Sequence, residues 1–150
     1  MKISLKYWNA ISVGDVLDTV TMDVPFERVI LNAAATQDYF PGHHNPAYAR
    51  HQGQKEIYLN TMAIEGFLDR VVSDWAGPHA FICKRQMQMR SSIYAGDTMK
   101  GQGKVEACYK EGERCLLDVS IEISTDSGCC VPAKLTISLP HDETMRSSLR

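Results

Sequence analysis

Residues 60–78 read NTMAIEGFLDRVVSDWAGP and predict the central element of the molecule. Apolar side chains recur there at helical spacing and cover most of a helix circumference, at Met62, Phe67, Leu68, Val71, Val72 and Trp75. Charged side chains interrupt that surface at Glu65, Asp69, Arg70 and Asp74. Asn60 or Thr61 can cap the helix, and Gly77-Pro78 ends it. The stretch therefore predicts a long helix that is largely buried, which requires a surrounding layer.

That layer is predicted by the residues after His79, where the hydrophobic period changes to two. Four segments have the pattern of strands, at 80–91, 98–109, 114–125 and 130–140, with turn residues at 95–97, 111–112 and 126–128. In the third segment Leu117, Val119, Ile121 and Ile123 share one face, and Asp118, Ser120, Glu122 and Ser124 share the other. One face of the sheet is therefore buried. The predicted class is α+β, with an antiparallel sheet wrapped around a long central helix.

The chain before residue 60 adds shorter elements to this core. Pro25 can open a helix that runs to about Gln37, and a helical turn starts at Pro46 and is closed by Gly53. Short elements at the front of the chain are expected to cover one edge of the sheet. Because no linker or repeat interrupts the pattern, we predict one domain over residues 1–140, followed by a polar, frayed tail over residues 141–150.

Composition excludes several classes of function. The 150-residue chain has a formal net charge of −2, with scattered Lys and Arg, so it offers no electrostatic footprint for nucleic acid or an anionic membrane. It shows no signal peptide and no window of about 18 apolar residues, so we expect a cytoplasmic protein with no membrane partner. The five cysteines form no CxxC pair and mostly lie on strand patterns, which indicates reduced structural thiols.

Titratable side chains concentrate in residues 36–53, TQDYFPGHHNPAYARHQG. Pro41 and Gly42 force a non-helical turn between Asp38 and His43, so the carboxylate and the imidazole can converge. Such a pair can hold one water, with one group taking its proton while the other orients it. The same spacing recurs at Asp74 and His79, where the end of a helix and the start of a strand explain it.

Two other interpretations of the loop remain open. In the first, Asp38 caps a turn and the histidines are solvated. In the second, His43, His44 and His51 bind a metal ion, since imidazole is the commonest metal ligand. The spacing contains no helical His-x3-His pair, which disfavours a metal site. We therefore predict no metal and no separate cofactor.

The same loop also resembles the signature of a known family. DYFPGHHNPAYA, residues 38–49, is similar to the motif of the MaoC-like, R-specific enoyl-CoA hydratases, with Asp38, Pro41, His43 and Ala49 on its positions. Phe40 stands where Asn is usual, and Gly42 replaces a branched aliphatic residue. SVGDVL near Val13 and YAGDTMKGQGKV near Gly96 are also similar to the family, so the likeness spans most of residues 10–140. Residues 55–78 resemble the small MaoC-like subunits of bacterial steroid and cholesterol side-chain degradation.

The resemblance implies a hotdog fold and a reaction. Water would add across the 2,3 double bond of a trans-2-enoyl-CoA to give a 3-hydroxyacyl-CoA, with coenzyme A as part of the substrate. It implies His43 as the base and Asp38 as the group that orients the water and protonates the alpha carbon. The backbone N–H of Thr61 would receive the charge that builds on the thioester oxygen. Gly42 and Asn60 are further candidates for substrate contact, although Asn60 is favoured as the helix cap.

Two alternatives of different class stay open. A hotdog acyl-CoA thioesterase would depend on Glu65 or Asp69, about one turn apart on the long helix, although such spacing usually marks a solvent or interface side. A non-catalytic subunit would lend its fold to a second hotdog chain. An unpaired sheet edge predicts a homodimer or a heteromer in every case.

The remaining candidate residues fall into two groups. Packing is expected for Trp75, Met87 and Met89. A contact with CoA phosphates or a place on a solvated strand edge is expected for Lys84, Arg85 and Arg90.

Overall fold

The computed structural model describes residues 5–144, and residues 145–150 of the predicted tail lie outside them. Within that range the helices are α1 Phe26–Ala35, α2 Pro46–His51 and α3 Thr61–Ala76, and the strands are β1 Val20–Asp23, β2 Phe81–Met87, β3 Thr98–Glu111, β4 Arg114–Thr125 and β5 Gly128–Leu139. Single 3-10 turns occur at Trp8–Ala10 and Pro41–His43. None of the helices in residues 5–144 is long and apolar enough to cross a membrane.

The strands form one antiparallel sheet in the order β1-β3-β4-β5-β2. Hairpins join β3, β4 and β5, and Gly112 adopts a φ of +60° in the first turn, a conformation that favours glycine. The four predicted strands are confirmed. β1 is the short front element that covers an edge, because its Val20 and Asp23 pair with Gly101 and Thr98 of β3.

Helix α3 fills the concave side of the sheet, as the pattern of residues 60–78 predicts. Its buried residues are Ile64, Phe67, Leu68, Val71, Val72, Trp75 and Ala76. They pack in one hydrophobic core with the predicted inner face of β4, Leu117, Val119, Ile121 and Ile123. Gly101 lets β3 approach the helix closely, since a Cβ there would lie 2.4 Å from Val71 Cγ2. Each large side chain buried in this core contributes roughly 1.5–3 kcal/mol to stability.

Strand β2 is shorter than the predicted segment 80–91. Its partner β5 carries Pro132, whose carbonyl accepts from the Gln88 N–H at 3.0 Å but which has no N–H to return. The regular ladder therefore ends at Met87, although the Arg90 N–H still donates to the carbonyl of Cys130 at 2.9 Å. The prediction that Met89 packs is wrong, since this residue lies past the strand and is 42% exposed, whereas Met87 contacts the core.

The first and last parts of the described chain meet beside the sheet. The Trp8 N–H donates to the carbonyl of Pro140 at 2.9 Å, and the Asn9 N–H donates to the carbonyl of His141 at 3.1 Å. The indole Nε1 of Trp8 also donates to the carbonyl of Leu116. The first residues after the predicted boundary at residue 140 thus pair with the N-terminal turn.

Candidate active site

Asp38 is placed by the way in which helix α1 ends. Gln37 adopts a φ of +57°, the left-handed conformation that closes many helices. The Gln37 N–H then donates to the carbonyl of Ala34, and the Asp38 N–H donates to that of Ala33 at 3.0 Å. These two bonds form a Schellman motif, which fixes the Asp38 backbone one residue beyond the left-handed position.

His43 is placed by the 3-10 turn and by the segment before α3. Its side chain is only 9% exposed, and its Nδ1 lies 2.7 Å from the carbonyl oxygen of Tyr58. Because a carbonyl can only accept, Nδ1 must carry the hydrogen. In the neutral imidazole, Nε2 is then the unprotonated nitrogen and is available as a base.

The two predicted residues face each other, since His43 Nε2 lies 3.3 Å from Asp38 Oδ2. With neutral histidine both atoms are acceptors, and one water can satisfy them by donating a hydrogen to each. The Asp38 side chain is 27% exposed, so solvent and substrate can reach the pair. The convergence predicted from Pro41 and Gly42 is therefore confirmed.

The second pair with the same spacing is not brought together. Asp74 pairs with Arg70 one helical turn away, at 3.2 Å. His79 Nε2 is buried and has no hydrogen-bond partner in the part of the chain that the structure describes. Across the described residues, no group of three His, Cys, Asp or Glu side chains is arranged to hold a metal ion.

An aromatic wall that the sequence did not predict surrounds the imidazole. Tyr58 and Phe40 contact the His43 ring edge-on, with centroid distances of 5.0 and 5.5 Å, and Tyr48 continues the wall from Phe40. Tyr58 lies 15 residues along the chain from His43, outside the loop. A weak signal existed, because Ile57 and Leu59 are apolar and buried, so the residue between them faces the other way.

Asn60 and Thr61 connect this loop to the start of α3. The Asn60 side chain accepts from the Ala63 N–H at 3.0 Å, which confirms the predicted cap, and its Nδ2 donates to Thr36 Oγ1 at 2.6 Å. Both polar groups of the amide are engaged, so capping rather than substrate contact accounts for the residue. The Thr61 N–H belongs to the first helical turn, where the backbone donors lack intrahelical acceptors and the helix dipole favours negative charge.

A cavity of about 290 Å³ lies between α1 and α3 beside this junction. It is lined by Met22, Arg28, Asn32, Thr36, Met62, Ala63, Gly66, Phe67 and Arg70. Thr36 touches both the cavity and the Asn60 cap, and is two residues from Asp38. A larger depression of about 630 Å³ lies on the outer sheet face and shares no lining residue with the loop.

The carboxylates of Glu65 and Asp69 both form ion pairs with Arg85. Arg85 of β2 forms two hydrogen bonds with Asp69, at 2.6 and 3.0 Å, and pairs with Glu65 at 3.4 Å. The two acidic side chains are 36–37% exposed, which confirms the predicted solvent or interface side. Both carboxylates are therefore engaged by the same arginine.

Comparison with known proteins relates the chain to one group of hydratases, although no protein-family model matches it. The chain is 35% identical, over 95 residues, to the 3-oxo-4,17-pregnadiene-20-carboxyl-CoA hydratase beta subunit of Mycobacterium tuberculosis; the match covers 63% of this chain and 74% of that protein.

Solved structures extend this relation to the fold. A chain in the crystal structure of the ChsH1-ChsH2 complex from M. tuberculosis superposes with a TM-score of 0.79 at 31% identity, over 85% of this chain and 98% of that one. The (R)-hydratase from A. caviae involved in PHA biosynthesis gives a TM-score of 0.79 at 17% identity, over 87% and 98% of the two chains, a likeness that shows the fold alone. The predicted hotdog fold is confirmed.

Proposed function

The chain belongs to the MaoC-like enoyl-CoA hydratase family, and from this premise we propose that it hydrates a trans-2-enoyl-CoA to a 3-hydroxyacyl-CoA. One observation carries the proposal: His43 Nε2 lies 3.3 Å from Asp38 Oδ2 while Nδ1 is held by the Tyr58 carbonyl. This arrangement presents a base and a carboxylate to a single water, as the reaction requires.

The proposed reaction uses these contacts as follows. His43 Nε2 takes one proton from the water as its oxygen bonds to C3 of the substrate. Electrons move toward the thioester carbonyl, where the Thr61 N–H at the start of α3 stabilises the developing negative charge. The proton passes from His43 to Asp38 and then to C2, so both hydrogens of the water end on the product and the pair is regenerated. An R product is the family's outcome.

The acyl group of the proposed substrate is bulky and alicyclic. The relative from M. tuberculosis is named for a pregnadiene-carboxyl-CoA, and the cavity between α1 and α3 has a volume of about 290 Å³ and is lined by Thr36, two residues before Asp38 in the chain. Met62 and Phe67 supply apolar surface, and Gly66 leaves the wall open, because no atom lies within 4 Å of the place of a Cβ there. Coenzyme A arrives with the substrate in the cytoplasm, and no separate cofactor takes part.

A second hotdog chain is the proposed partner. The relative is named as a beta subunit, and the M. tuberculosis chain that superposes at 31% identity belongs to a two-protein complex. β2 is an edge strand of the sheet, and its first residue, Phe81, is 66% exposed. Pairing along β2 would extend the sheet into the partner and cover this residue.

The test measures hydration of a short-chain and a steroid side-chain enoyl-CoA by loss of the absorbance of the conjugated thioester. His43→Ala should lower kcat by about 10³-fold, since general acid–base groups contribute between roughly 10² and 10⁴. Glu65→Ala, at a carboxylate already paired with Arg85, should keep the activity.

Other outcomes select the alternatives. Release of free CoA that depends on Glu65 would identify a thioesterase. Hydration by the complex with a partner chain that is unaffected by His43→Ala would assign the chemistry to the partner and make this chain a non-catalytic subunit.

A further inference from the structure

Tyr58 touches the catalytic histidine in two independent ways. Its carbonyl oxygen accepts from Nδ1 at 2.7 Å, and its ring lies edge-on to the imidazole with a centroid distance of 5.0 Å and an interplanar angle of 80°. The main chain of Tyr58 thus sets the tautomer of His43, while its side chain lies against the same ring. The side chain has no share in the reaction as proposed above.

Gly42 shows where the Tyr58 hydroxyl is. A Cβ at position 42 would lie 2.6 Å from Tyr58 Oη and 2.9 Å from Cζ, distances that real Cβ atoms essentially never show. The Tyr58 phenol and the Phe40 ring, whose Cε1 would also lie 2.6 Å from that Cβ, therefore fill the space that a side chain at position 42 would need, and both rings contact His43. A side chain at position 42 and this position of the hydroxyl exclude each other.

The hydroxyl is free to bind a ligand. No hydrogen-bond partner for it is found among residues 5–144, whereas the nearby Tyr94 hydroxyl donates to Gln54 Oε1 at 2.6 Å. Burial raises the pKa of Tyr58, with further contributions from Tyr48, Tyr94 and the negative charge of Asp38. The group therefore stays a protonated donor.

We propose that the Tyr58 hydroxyl is a positioning group of the hydration site, donating a hydrogen bond to the oxygen of the water held by Asp38 and His43. A water that donates to both of those residues has two lone pairs left. One accepts from Tyr58, and the other is then directed at C3 of the enoyl thioester. This inference rests on the proposed function and adds the element that fixes the direction of attack.

The direct test is Tyr58→Phe, which removes the hydroxyl and keeps the ring. We expect kcat to fall about tenfold, the effect of one hydrogen bond, with KM for the enoyl-CoA within about twofold. Tyr94→Phe is the matched control, because it removes a phenol hydroxyl from the same cluster that is already donated to Gln54, and it should change neither constant. Thermal unfolding of both variants checks that the fold is kept.

Gly42→Ala tests the same group without touching it. The new methyl group would meet Phe40 Cε1 as closely as the Tyr58 hydroxyl, so both aromatic side chains must shift. We expect kcat to fall by a similar factor or more, and adding Tyr58→Phe to Gly42→Ala should cost little further. Full kcat in Tyr58→Phe, or losses in the double variant that multiply, would overturn the proposal. A loss confined to KM would also overturn it, since it would show ordinary substrate binding.

The two proposals fail in different ways. If His43→Ala abolishes hydration while Tyr58→Phe is fully active, the proposed function stands and only the role of Tyr58 is lost. If the wild-type protein, assayed in the assembly in which it is isolated, hydrates no enoyl-CoA, both are overturned.

Discussion

At the scale of single residues, main-chain groups orient the proposed catalytic pair, Asp38 and His43. The Tyr58 carbonyl fixes the proton on His43 Nδ1, and the carbonyls of Ala33 and Ala34 fix the backbone around Asp38. The base nitrogen therefore faces the carboxylate before any substrate is bound. Such preorganisation lowers the cost of reaching the transition state, because no group has to rotate into place.

The same contacts explain which residues of the site could be predicted. Asp38 and His43 were predictable because the turn formed by Pro41 and Gly42 joins them within one short segment. The contact by which Tyr58 sets the tautomer of His43 is made by a backbone carbonyl, which every residue has, so no side-chain pattern could reveal it. The lack of space for a side chain at Gly42 likewise arises only in the folded chain.

Asn60 provides a prediction about stability. Asn60→Ala removes the cap of α3 and the bond to Thr36 together, so we expect a loss of about 2 kcal/mol, at the upper end of the range for helix caps. Denaturation by urea measures this loss. Asn45→Ala is the matched control, since Asn45 caps the short and exposed helix α2 through the Tyr48 N–H alone and should cost about half as much. Equal losses would show that the bond to Thr36 contributes nothing.

At the scale of secondary-structure elements, the backbone is strained directly after the end of α1. Gln37 is the single residue other than glycine with a positive φ among residues 5–144, and a side chain in that conformation is unfavourable by roughly 1 kcal/mol. The strain lies directly before Asp38, where it terminates the helix and turns the chain into the loop.

Gln37→Gly should therefore stabilise the protein by about 0.5–1 kcal/mol, since glycine adopts this conformation without a steric penalty. Differential scanning calorimetry would show a higher Tm. Gln52→Gly is the control at the end of α2, where φ is −81° and the same change should lower stability. A lower Tm for Gln37→Gly would mean that the Gln37 side chain makes a contribution larger than the strain.

The lengths of β1 and β2 could not be predicted from the residues of these strands alone. β1 spans only Val20–Asp23, too short for a period of two to appear. The alternating sequence pattern of β2 continues past Met87. The regular pairing ends there because Pro132 of the neighbouring strand has no N–H to donate. The helices were predicted more closely, because caps and glycines near their own ends determine where they stop.

At the scale of the whole molecule, the sheet is asymmetric. β1 covers four residues of one side of the long strand β3, while β2 forms the opposite edge over seven residues and begins with the exposed Phe81. The edge at β2 is the surface through which we propose that the chain assembles.

Phe81→Lys should weaken that assembly, because an edge lysine loses apolar contact and places a charge where a second strand would pair. We expect the dissociation constant of the assembly, measured by sedimentation velocity, to rise at least about tenfold, the cost of losing one well-packed interface residue. Val13→Lys, at a loop residue that is 62% exposed, is the control and should leave assembly unchanged. An unchanged constant for Phe81→Lys would place the interface on another surface.

The Schellman motif at the end of α1 has a consequence for how such a protein can diversify. The contacts that position Asp38 and His43 run to the carbonyls of Ala33, Ala34 and Tyr58, and a carbonyl is present whatever side chain a residue carries. Substitutions of the α1 and α3 residues that line the cavity can therefore reshape the proposed acyl site while Asp38 and His43 keep their positions. Insertions or deletions are different, because one residue more or less between Ala33 and His43 would break that register. We expect new substrate preferences to arise here by replacement of side chains at constant loop length.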